Sequence, residues 1–255
     1  MSFKSQRQDV IRRHLYKQGP TKIGTLAEAI QTSVATLRRD LTELEEQGVL
    51  DRMHGGARLA QGSTLEVAFE SREGQNLEAK RAIADYAYGL IRPHSTCFFD
   101  SSTTILQLAR RLKLDPFPVT IFTNGLTIAQ SLLGVTRVKV LLLGGQLRHE
   151  NASIVGPEAQ AMVERLWFDQ VFLGVGAISR DGSVSGVDMA EASLNAATFQ
   201  RSAERYLLAD SSKFGVVATY AVLRLGADTH VITDAKLAPE WQANLHRWGA
   251  PLTLS

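Results

Sequence analysis

Short apolar segments alternate with helical patterns between residues 78 and 233, and this alternation constrains the fold more than any other feature. Continuous apolar strands that alternate with helices are typical of a buried, mostly parallel sheet. The sequence therefore predicts an α/β fold, with a mostly parallel Rossmann-like sheet in its larger part. The predicted strands are Thr96–Phe99, Val119–Phe122, Val138–Leu143, Val171–Gly174, Tyr206–Ala209 and His230–Thr233. The predicted helices are Glu78–Ile91, two helices ending at Leu112 and Leu133, and about Ala190–Glu204.

Polar and glycine-rich segments follow several of these strands. In Asp100-Ser101-Ser102-Thr103-Thr104, hydroxyl groups and backbone N–H groups at a helix start predict an anion site, and the carboxylate suits sugar hydroxyls. Lys213 supplies a compact positive charge for phosphate, and Gly144-Gly145 lets the backbone approach a ligand closely. Ligands of open α/β sheets bind outside the carboxyl ends of the strands. Together the segments predict a site for a phosphorylated sugar or polyol.

Each segment also has a simpler interpretation. The hydroxyl-rich segment alone is more often a helix cap, Gly144-Gly145 a turn and Lys213 a surface charge. Glu191 is expected on a helix surface unless the fold turns it inward. Their joint placement at strand ends favours the ligand site.

A second informative stretch is the amphipathic helix Ser33–Glu46. Ser33 can cap its N-terminus, and Val34, Leu37, Leu41 and Leu44 form one apolar stripe. Arg39 lies opposite that stripe, with Arg38 on its flank. Such a basic, slim N-terminal end suits the DNA major groove. The helix contributes these candidate DNA-binding residues: Ser33, Ala35, Thr36, Arg38, Arg39 and Thr42.

The surrounding sequence predicts a winged helix-turn-helix. One helix ends at Gly19-Pro20, a short one spans about Ile23–Ile30, and Gln31-Thr32 turns into the next, so that the helix-turn-helix covers about residues 21–40. Gln47-Gly48 is predicted to cap the last helix, and residues 49–59 to form a β-hairpin with a glycine turn. The hairpin adds three candidate DNA contacts, Arg52, His54 and Arg58.

Charge and cysteine content agree with a two-part intracellular protein. Residues 1–60 carry ten Lys and Arg against seven Asp and Glu, an excess of +3 in a chain of net charge +2. The single cysteine, Cys97, lies in a predicted apolar strand, so no intrachain disulfide can form. Neither a signal peptide nor an apolar run of membrane-spanning length is found, which predicts a cytoplasmic location without membrane contact.

The N-terminal motifs resemble the signature of the DeoR family of bacterial transcriptional regulators. The resemblance rests on Thr36-Leu37-Arg38-Arg39-Asp40-Leu41, Leu44-Glu45, Gly48 and Arg52–Ala57, with Leu37 where the family usually has Ile or Val. It implies a DNA-binding domain over residues 1–59, a linker or crossover over 60–76 and an effector domain over 77–255.

The C-terminal motifs resemble the same family, whose effector domain is related to ribose-5-phosphate isomerase. Asp100–Thr104 is similar to the family's Asp-x-Gly-Thr-Thr, with Ser102 in place of glycine. Ser102 adds a Cβ and a hydroxyl where a phosphate would approach. The other matching segments are Thr123-Asn124, Gly144-Gly145, Val155-Gly156-Pro157, the Gly182 region, Glu191 and Asp210–Phe214. The resemblance implies these effector-binding residues: Asp100, Ser101, Ser102, Thr103, Thr104, Thr123, Asn124, Gly144, Gly145, Glu191 and Lys213.

An isomerase of the related type would need carboxylates for proton transfer just after the strand ending at Gly174. This chain has Val175–Ser179 there, and Asp181 lies farther on in a predicted turn. The sequence thus predicts ligand binding without catalysis. The six histidines show no metal-ligand spacing, so no metal site is expected. No other cofactor is expected either.

The resulting hypothesis is a homo-oligomeric repressor of a carbohydrate catabolism operon, a dimer or a tetramer. A phosphorylated sugar or sugar acid would release it from double-stranded operator DNA. One alternative is a sugar-phosphate isomerase, or a related enzyme, with an accessory DNA-binding domain. Another is a metabolite-binding protein whose winged module contacts protein partners.

Overall fold

The computed structural model describes residues 3–46, 49–53, 55–59 and 69–255. The chain divides into two compact units, Met1–Val67 and Ala68–Ser255, and each is described by itself. Across the described ranges, every helix is too short or too polar to cross a membrane. The predicted cap at Gln47-Gly48, the wing residue His54 and the first part of the predicted crossover, residues 60–68, lie outside the described residues.

The N-terminal unit contains three helices and a small antiparallel sheet. The elements are α1 (Phe3–Gln18), β1 (Thr21–Lys22), α2 (Ile23–Ala29), α3 (Val34–Glu46), β2 (Leu50–Met53) and β3 (Gly56–Leu59). The helix-turn-helix and its hairpin are therefore confirmed. The core of this unit includes the fully buried Ile11, Leu26, Leu37, Leu41 and Leu44.

The start of α3 agrees with the sequence prediction except at one residue, Val34. Ser33 caps the helix, because its Oγ accepts a hydrogen bond from the backbone N–H of Thr36 at 3.1 Å. Val34 was predicted to belong to the buried stripe, and this is wrong, since it is 40% exposed. The buried stripe begins at Leu37, one turn later, because Val34 lies in the first turn of the helix, ahead of the residues that pack into the core.

The wing is built on two adjacent glycines. Strands β2 and β3 pair antiparallel, and β1 adds a third strand that the sequence did not predict, with Thr21 opposite Ala57. Gly55 has a φ of +75°, which glycine adopts readily. A Cβ on Gly56 would lie 2.6 Å from the carbonyl oxygen of Thr21, so only glycine fits beside β1.

The C-terminal unit alternates helices and strands. Its helices are α4 (Phe69–Glu73), α5 (Leu77–Tyr88), α6 (Thr103–Leu114), α7 (Leu126–Leu132), α8 (Pro157–Glu164), α9 (Met189–Gln200) and α10 (Pro239–Arg247). Its strands are β4 (Thr96–Phe99), β5 (Val119–Thr123), β6 (Val138–Leu142), β7 (Gln146–Arg148), β8 (Ser153–Val155), β9 (Phe168–Gly174), β10 (Ala177–Ile178), β11 (Ser183–Gly186), β12 (Ser202–Leu208), β13 (Tyr220–Arg224), β14 (His230–Thr233) and β15 (Leu252–Leu254).

Seven of these strands form one parallel sheet in the order β15-β14-β12-β9-β4-β5-β6. Successive residues of β4 point to opposite faces, so Phe98 enters one core while Cys97 and Phe99 enter the other. Helices α5, α6 and α7 cover the second of these faces, whereas α8, α9 and α10 cover the first. The predicted α/β class is confirmed, and all seven strands direct their carboxyl ends to the same edge.

Several short elements differ from the sequence prediction. The helix predicted to reach Glu204 ends at Gln200, because Ser202–Leu208 pairs along β9 as a strand. His230–Thr233 is not the last strand, since Leu252–Leu254 pairs beside it. Within the predicted crossover, Phe69–Glu73 forms α4, and Phe69 is buried in the core under α5 and α6.

Candidate DNA-binding face and effector site

The outer face of α3 presents the residues predicted to contact DNA. Arg38, Arg39, Ala35 and Thr42 are exposed, and Thr36 is partly exposed. Neither Arg38 nor Arg39 forms an ion pair or a side-chain hydrogen bond with any described residue. Both guanidinium groups are therefore available to a partner outside the protein.

The beginning of the wing is attached to α3. The Arg52 Nη1 group lies 3.4 Å from Thr42 Oγ1, and the Arg52 backbone N–H donates to Glu45 Oε1 at 3.3 Å. Arg58, in contrast, forms an ion pair of 3.1 Å with Asp51 across the hairpin. Both partners of that pair are about two-fifths exposed, so solvent screens the pair and a phosphate can compete for Arg58.

The buried side of α3 holds a residue that the sequence prediction missed. Asp40 is 2% exposed and accepts two hydrogen bonds from Arg7 of α1, from Nε at 2.5 Å and from Nη2 at 3.1 Å. Glu43 accepts from Lys4 at 2.7 Å and from Gln8 at 2.9 Å. A signal for Asp40 existed, because it follows Leu37 by three residues and precedes Leu44 by four on the apolar stripe.

At the carboxyl end of β4, Asp100 is a buried carboxyl group. It is 3% exposed, and its Oδ1 accepts from the backbone N–H of Ser102 at 3.0 Å. Burial raises the pKa of Asp100 to about 7, chiefly because the charged form loses its hydration. The group can therefore act either as a neutral donor or as a charged acceptor near neutral pH.

The structure assigns a local role to Ser102. Its Oγ caps α6 by accepting from the Ile105 N–H at 3.2 Å. A Cβ added to Gly174, at the end of β9, would collide with the Ser102 side chain. The hydroxyl thus faces the helix start and the adjacent strand end. Thr103 and Thr104, in the first turn of α6, are buried.

Glu191 points inward from α9 and is the centre of a polar cluster, so the alternative of a helix-surface residue is wrong. Its Oε1 accepts from Ser153 Oγ at 2.6 Å, from Asn151 Nδ2 at 2.5 Å and from Ser101 Oγ at 3.3 Å. Arg148 Nη1 lies 3.2 Å from Oε2. Asn151, Ser153 and Arg148 had no role in the sequence prediction, because they come from β7, β8 and the turn between those strands.

The predicted segment Thr123-Asn124 has a structural role in this unit. Thr123 and Asn124 are fully buried. Thr123 Oγ1 accepts from the Gly125 N–H at 3.0 Å, and Asn124 Nδ2 donates to the Ile154 carbonyl at 3.3 Å. These bonds close the turn after β5 and hold β8 against it.

The glycine pair that follows β6 is exposed. Gly145 has a φ of +146°, and a Cβ there would lie 2.6 Å from the Val155 carbonyl oxygen. Glycine is therefore required at this position by the close approach of β8, whatever the ligand.

Two lysine side chains lie near the start of α5, and the sequence analysis identified only one of them, Lys213. Lys213, half-buried, follows β12, and Lys80 of α5 is only 3% exposed. Lys80 Nζ donates to the carbonyl oxygen of Arg72, and the Arg72 guanidinium donates to Asn151 Oδ1. The signal for Lys80 is its position on the apolar face of α5, three residues before Ile83 and four before Ala84.

A neighbouring cavity of about 510 Å³ lies at the carboxyl ends of β12 and β14. Its lining includes Asn76, Asp210, Ser211, Asp234 and Lys236. Asp234 accepts from the Ser211 N–H at 2.6 Å and from the Lys236 N–H at 3.1 Å, so its carboxylate is satisfied by the protein itself.

The segment directly after β9, residues 175–180, contains no Asp or Glu. Val175 and Gly176 follow β9, and Asp181 lies farther on in a turn. Ser179 and Ser183 donate hydrogen bonds to Asp181 and lower its pKa to about 2, so it is a weak base. In the described part of the chain, no group of three His, Cys, Asp or Glu side chains is arranged to hold a metal ion.

Comparisons with known proteins match both units. The family described as the DeoR-like helix-turn-helix domain matches residues 7–62, and the DeoR C terminal sensor domain matches residues 75–235. Among solved structures, ribose 5-phosphate isomerase A of Methanocaldococcus jannaschii is 12% identical over 55% of both chains. The TM-score of this comparison is 0.41.

Three curated relatives are transcriptional regulators by name. The HTH-type transcriptional repressor CsqR of Escherichia coli K12 is 34% identical over 89% of this chain and 87% of its own. The lactose phosphotransferase system repressor of Staphylococcus aureus is 34% identical over 91% and 92%. The HTH-type transcriptional regulator GlpR of Haloferax volcanii is 36% identical over 76% and 75%. With both family domains present in order, this chain belongs to the DeoR family of transcriptional regulators.

Proposed function

We propose that this protein is a cytoplasmic repressor of a carbohydrate catabolism operon and that a phosphorylated sugar or sugar acid releases it from operator DNA. The observation that carries the proposal is the contrast between the two units. One presents two exposed arginines that form no ion pair with the described residues, beside a wing, and the other gathers carboxylates, amides and cations at the carboxyl ends of a parallel sheet. The names of the relatives, which include a lactose phosphotransferase system repressor, support the direction of regulation and the class of operon.

In this proposal the exposed end of α3 enters the major groove. Arg38 and Arg39 donate to base edges, since a guanidinium group can bond both O6 and N7 of guanine. Arg52 and Arg58 of the wing contact phosphates, which fix the register of the protein on the duplex. The smaller residues of the same face leave room for close approach to the bases: Ser33, Ala35, Thr36 and Thr42.

The effector occupies the polar cluster of the C-terminal unit. Asp100, Ser101 and Glu191 bind hydroxyl groups of the sugar, and Lys213 attracts its phosphate. Buried polar groups bind hydroxyl ligands selectively, because a ligand that lacks the hydroxyl leaves them unsatisfied. Thr123-Asn124 and Gly144-Gly145 support the site by shaping the turns around it.

Release from DNA requires that the effector bind two states of the protein with different affinity. A homo-oligomer, dimer or tetramer, supplies the paired recognition helices that paired half-sites demand. The strength of the coupling is the ratio of effector affinities in the free and DNA-bound protein.

Fluorescence anisotropy with DNA from upstream of the protein's own gene tests the proposal. We expect specific binding whose logarithmic affinity falls linearly with the logarithm of salt concentration, because phosphate contacts release counterions. A thermal-shift screen of phosphorylated sugars identifies the effector, since a ligand of the folded state raises the melting temperature. The absence of salt-dependent DNA binding would contradict the proposal and favour a module that contacts proteins.

The competing function is a sugar-phosphate isomerase with an accessory DNA-binding domain. Turnover of ribose 5-phosphate by the purified protein would favour it. Val175 and Gly176, at the place where the base would be needed, argue against it.

A further inference from the structure

Lys80 is a buried cation that forms no ion pair with a carboxylate among the described residues. Its side chain lies on the apolar face of α5, and the residue is 3% exposed. An ammonium group has three N–H donors. Within the described ranges its hydrogen-bond acceptor is the Arg72 carbonyl oxygen, and no carboxylate pairs with it there. Two donors are therefore left for a partner that does not belong to the described chain.

The groups around Lys80 add to its positive charge. Burial lowers the pKa of Lys80 most, the nearby charges of Lys213 and Arg72 also lower it, and Asp210 and Glu73 oppose them, with a resulting pKa of about 8. Asp210 Oδ1 accepts from Asn76 Nδ2 at 2.8 Å and from the Ser212 N–H at 3.1 Å, so its carboxylate offsets part of this positive charge without an ion pair to Lys80. Glu73 forms an ion pair with Arg110 at 2.7 Å. Lys80, Lys213 and Arg72 therefore exceed the carboxylates beside them in charge, and an anion would stabilise this partly buried group.

Lys80 is connected to the polar cluster around Glu191. Arg72 accepts from Lys80 through its carbonyl and donates through its guanidinium to Asn151 Oδ1. Asn151 Nδ2 donates to Ser101 Oγ at 3.0 Å and to Glu191 Oε1 at 2.5 Å. The buried amine and the groups that suit sugar hydroxyls thus form one contiguous site.

We propose that Lys80, together with Lys213, binds the phosphate group of the effector, a phosphomonoester dianion. The inference rests on the proposed function and deepens it by naming a phosphate-binding residue. The phosphate oxygens accept the two remaining N–H donors of Lys80, and their charge offsets the two amines. Hydrogen bonds to charged partners are the stronger kind, which favours a phosphorylated effector over the free sugar. Arg72 is a positioning residue, because its carbonyl fixes the direction of the Lys80 ammonium.

Binding of inorganic phosphate to the purified protein tests the inference. The readout is the rise in melting temperature with phosphate, measured against chloride at equal ionic strength. We expect Lys80→Met to weaken phosphate binding by about 10- to 100-fold, in line with the loss of charged hydrogen bonds. Lys236→Met, which removes an exposed lysine from the neighbouring cavity, is the matched control and should keep the response.

A second variant and a pH series keep the test valid if Lys80→Met does not fold. Lys213→Met should weaken phosphate binding in the same way. In the unaltered protein, affinity should stay level from about pH 7 to pH 8 and then fall by about tenfold per pH unit, because the dianion binds the ammonium form. A merely structural lysine would not produce this profile.

Three results would overturn the inference. They are an unaltered phosphate response in Lys80→Met, a loss of the response in Lys236→Met alone, and a wild-type protein that phosphate does not stabilise. Failure of the proposed function is seen separately, as wild-type protein that does not bind operator DNA or is not released by any phosphorylated sugar.

Discussion

Arg39 lies on the exposed face of α3, opposite the buried Leu37 and Leu41. If it is bidentate to guanine, Arg39→Ala should remove about 1–3 kcal/mol of discrimination between the operator and a sequence altered at that base. Fluorescence anisotropy at one fixed salt concentration measures both affinities.

The matched control is Arg13→Ala, which removes an exposed arginine of α1 in the same unit. Its effect on base preference should be negligible. If Arg39→Ala retained full discrimination between the two sequences, the orientation of α3 in the groove would be wrong.

Asp100 gives a prediction about pH and stability. Its folded-state pKa of about 7 lies above the ordinary value of 3.8, so the folded protein holds a proton that the unfolded chain releases between those values. The contribution of Asp100 to the free energy of unfolding is fully present below about pH 4 and is lost as the pH rises through 7. Asp100→Asn, which keeps a carbonyl acceptor for the Ser102 N–H, should therefore be more stable than wild type at pH 8 by about 2–4 kcal/mol.

Urea unfolding of both proteins at pH 5 and pH 8 measures the difference. The advantage of Asp100→Asn should be clearly larger at pH 8. An equal difference at both pH values would show that the carboxyl group does not titrate near neutrality.

At the scale of elements, Arg7 and Asp40 join α1 to the back of α3 through two hydrogen bonds. Arg7→Met leaves a carboxylate buried without its partner, which should destabilise α3 by about 2–4 kcal/mol. Arg12→Met, which breaks the more exposed pair with Asp9, should cost less than about 1 kcal/mol.

Amide hydrogen exchange of α3 reports this loss without interference from unfolding of the C-terminal unit. Replacing both partners, as Arg7→Met with Asp40→Leu, should restore much of the protection because no buried charge remains. Equal protection in wild type and Arg7→Met would contradict the anchoring role of the pair.

The long elements could be predicted from the sequence because their patterns are local. Capping by Ser33, the stripe of Leu37, Leu41 and Leu44 and the positive φ of Gly55 each depend on neighbours in the chain. The two-residue β1 and three-residue β15 have no such pattern. They become strands only because β3 and β14 lie beside them.

The difference between local patterns and long-range contacts also explains which residues of the candidate site could be predicted. Asp100 and Lys213 were predicted because they follow recognisable strands. Lys80 and Asp40 were missed because a charged residue on an apolar face is identified only by its burial in the fold. The inward direction of Glu191 depends on how α9 packs against β8, which periodicity alone does not determine.

At the scale of the whole molecule, paired half-sites predict a stable homo-oligomer. Sedimentation equilibrium should give a dimer or a tetramer at the protein concentrations that saturate operator DNA. A monomer under those conditions, bound to a single half-site, would contradict this part of the proposal.

The most direct test of the account is release of a preformed complex between the protein and its operator. We expect phosphorylated sugars or sugar acids to lower the anisotropy of labelled operator DNA in a saturable manner, and the matching unphosphorylated sugars to have no effect at equal concentration. Unchanged anisotropy with every phosphorylated compound, in a protein that binds the operator specifically, would contradict the claim that the C-terminal unit controls DNA binding through a sugar phosphate.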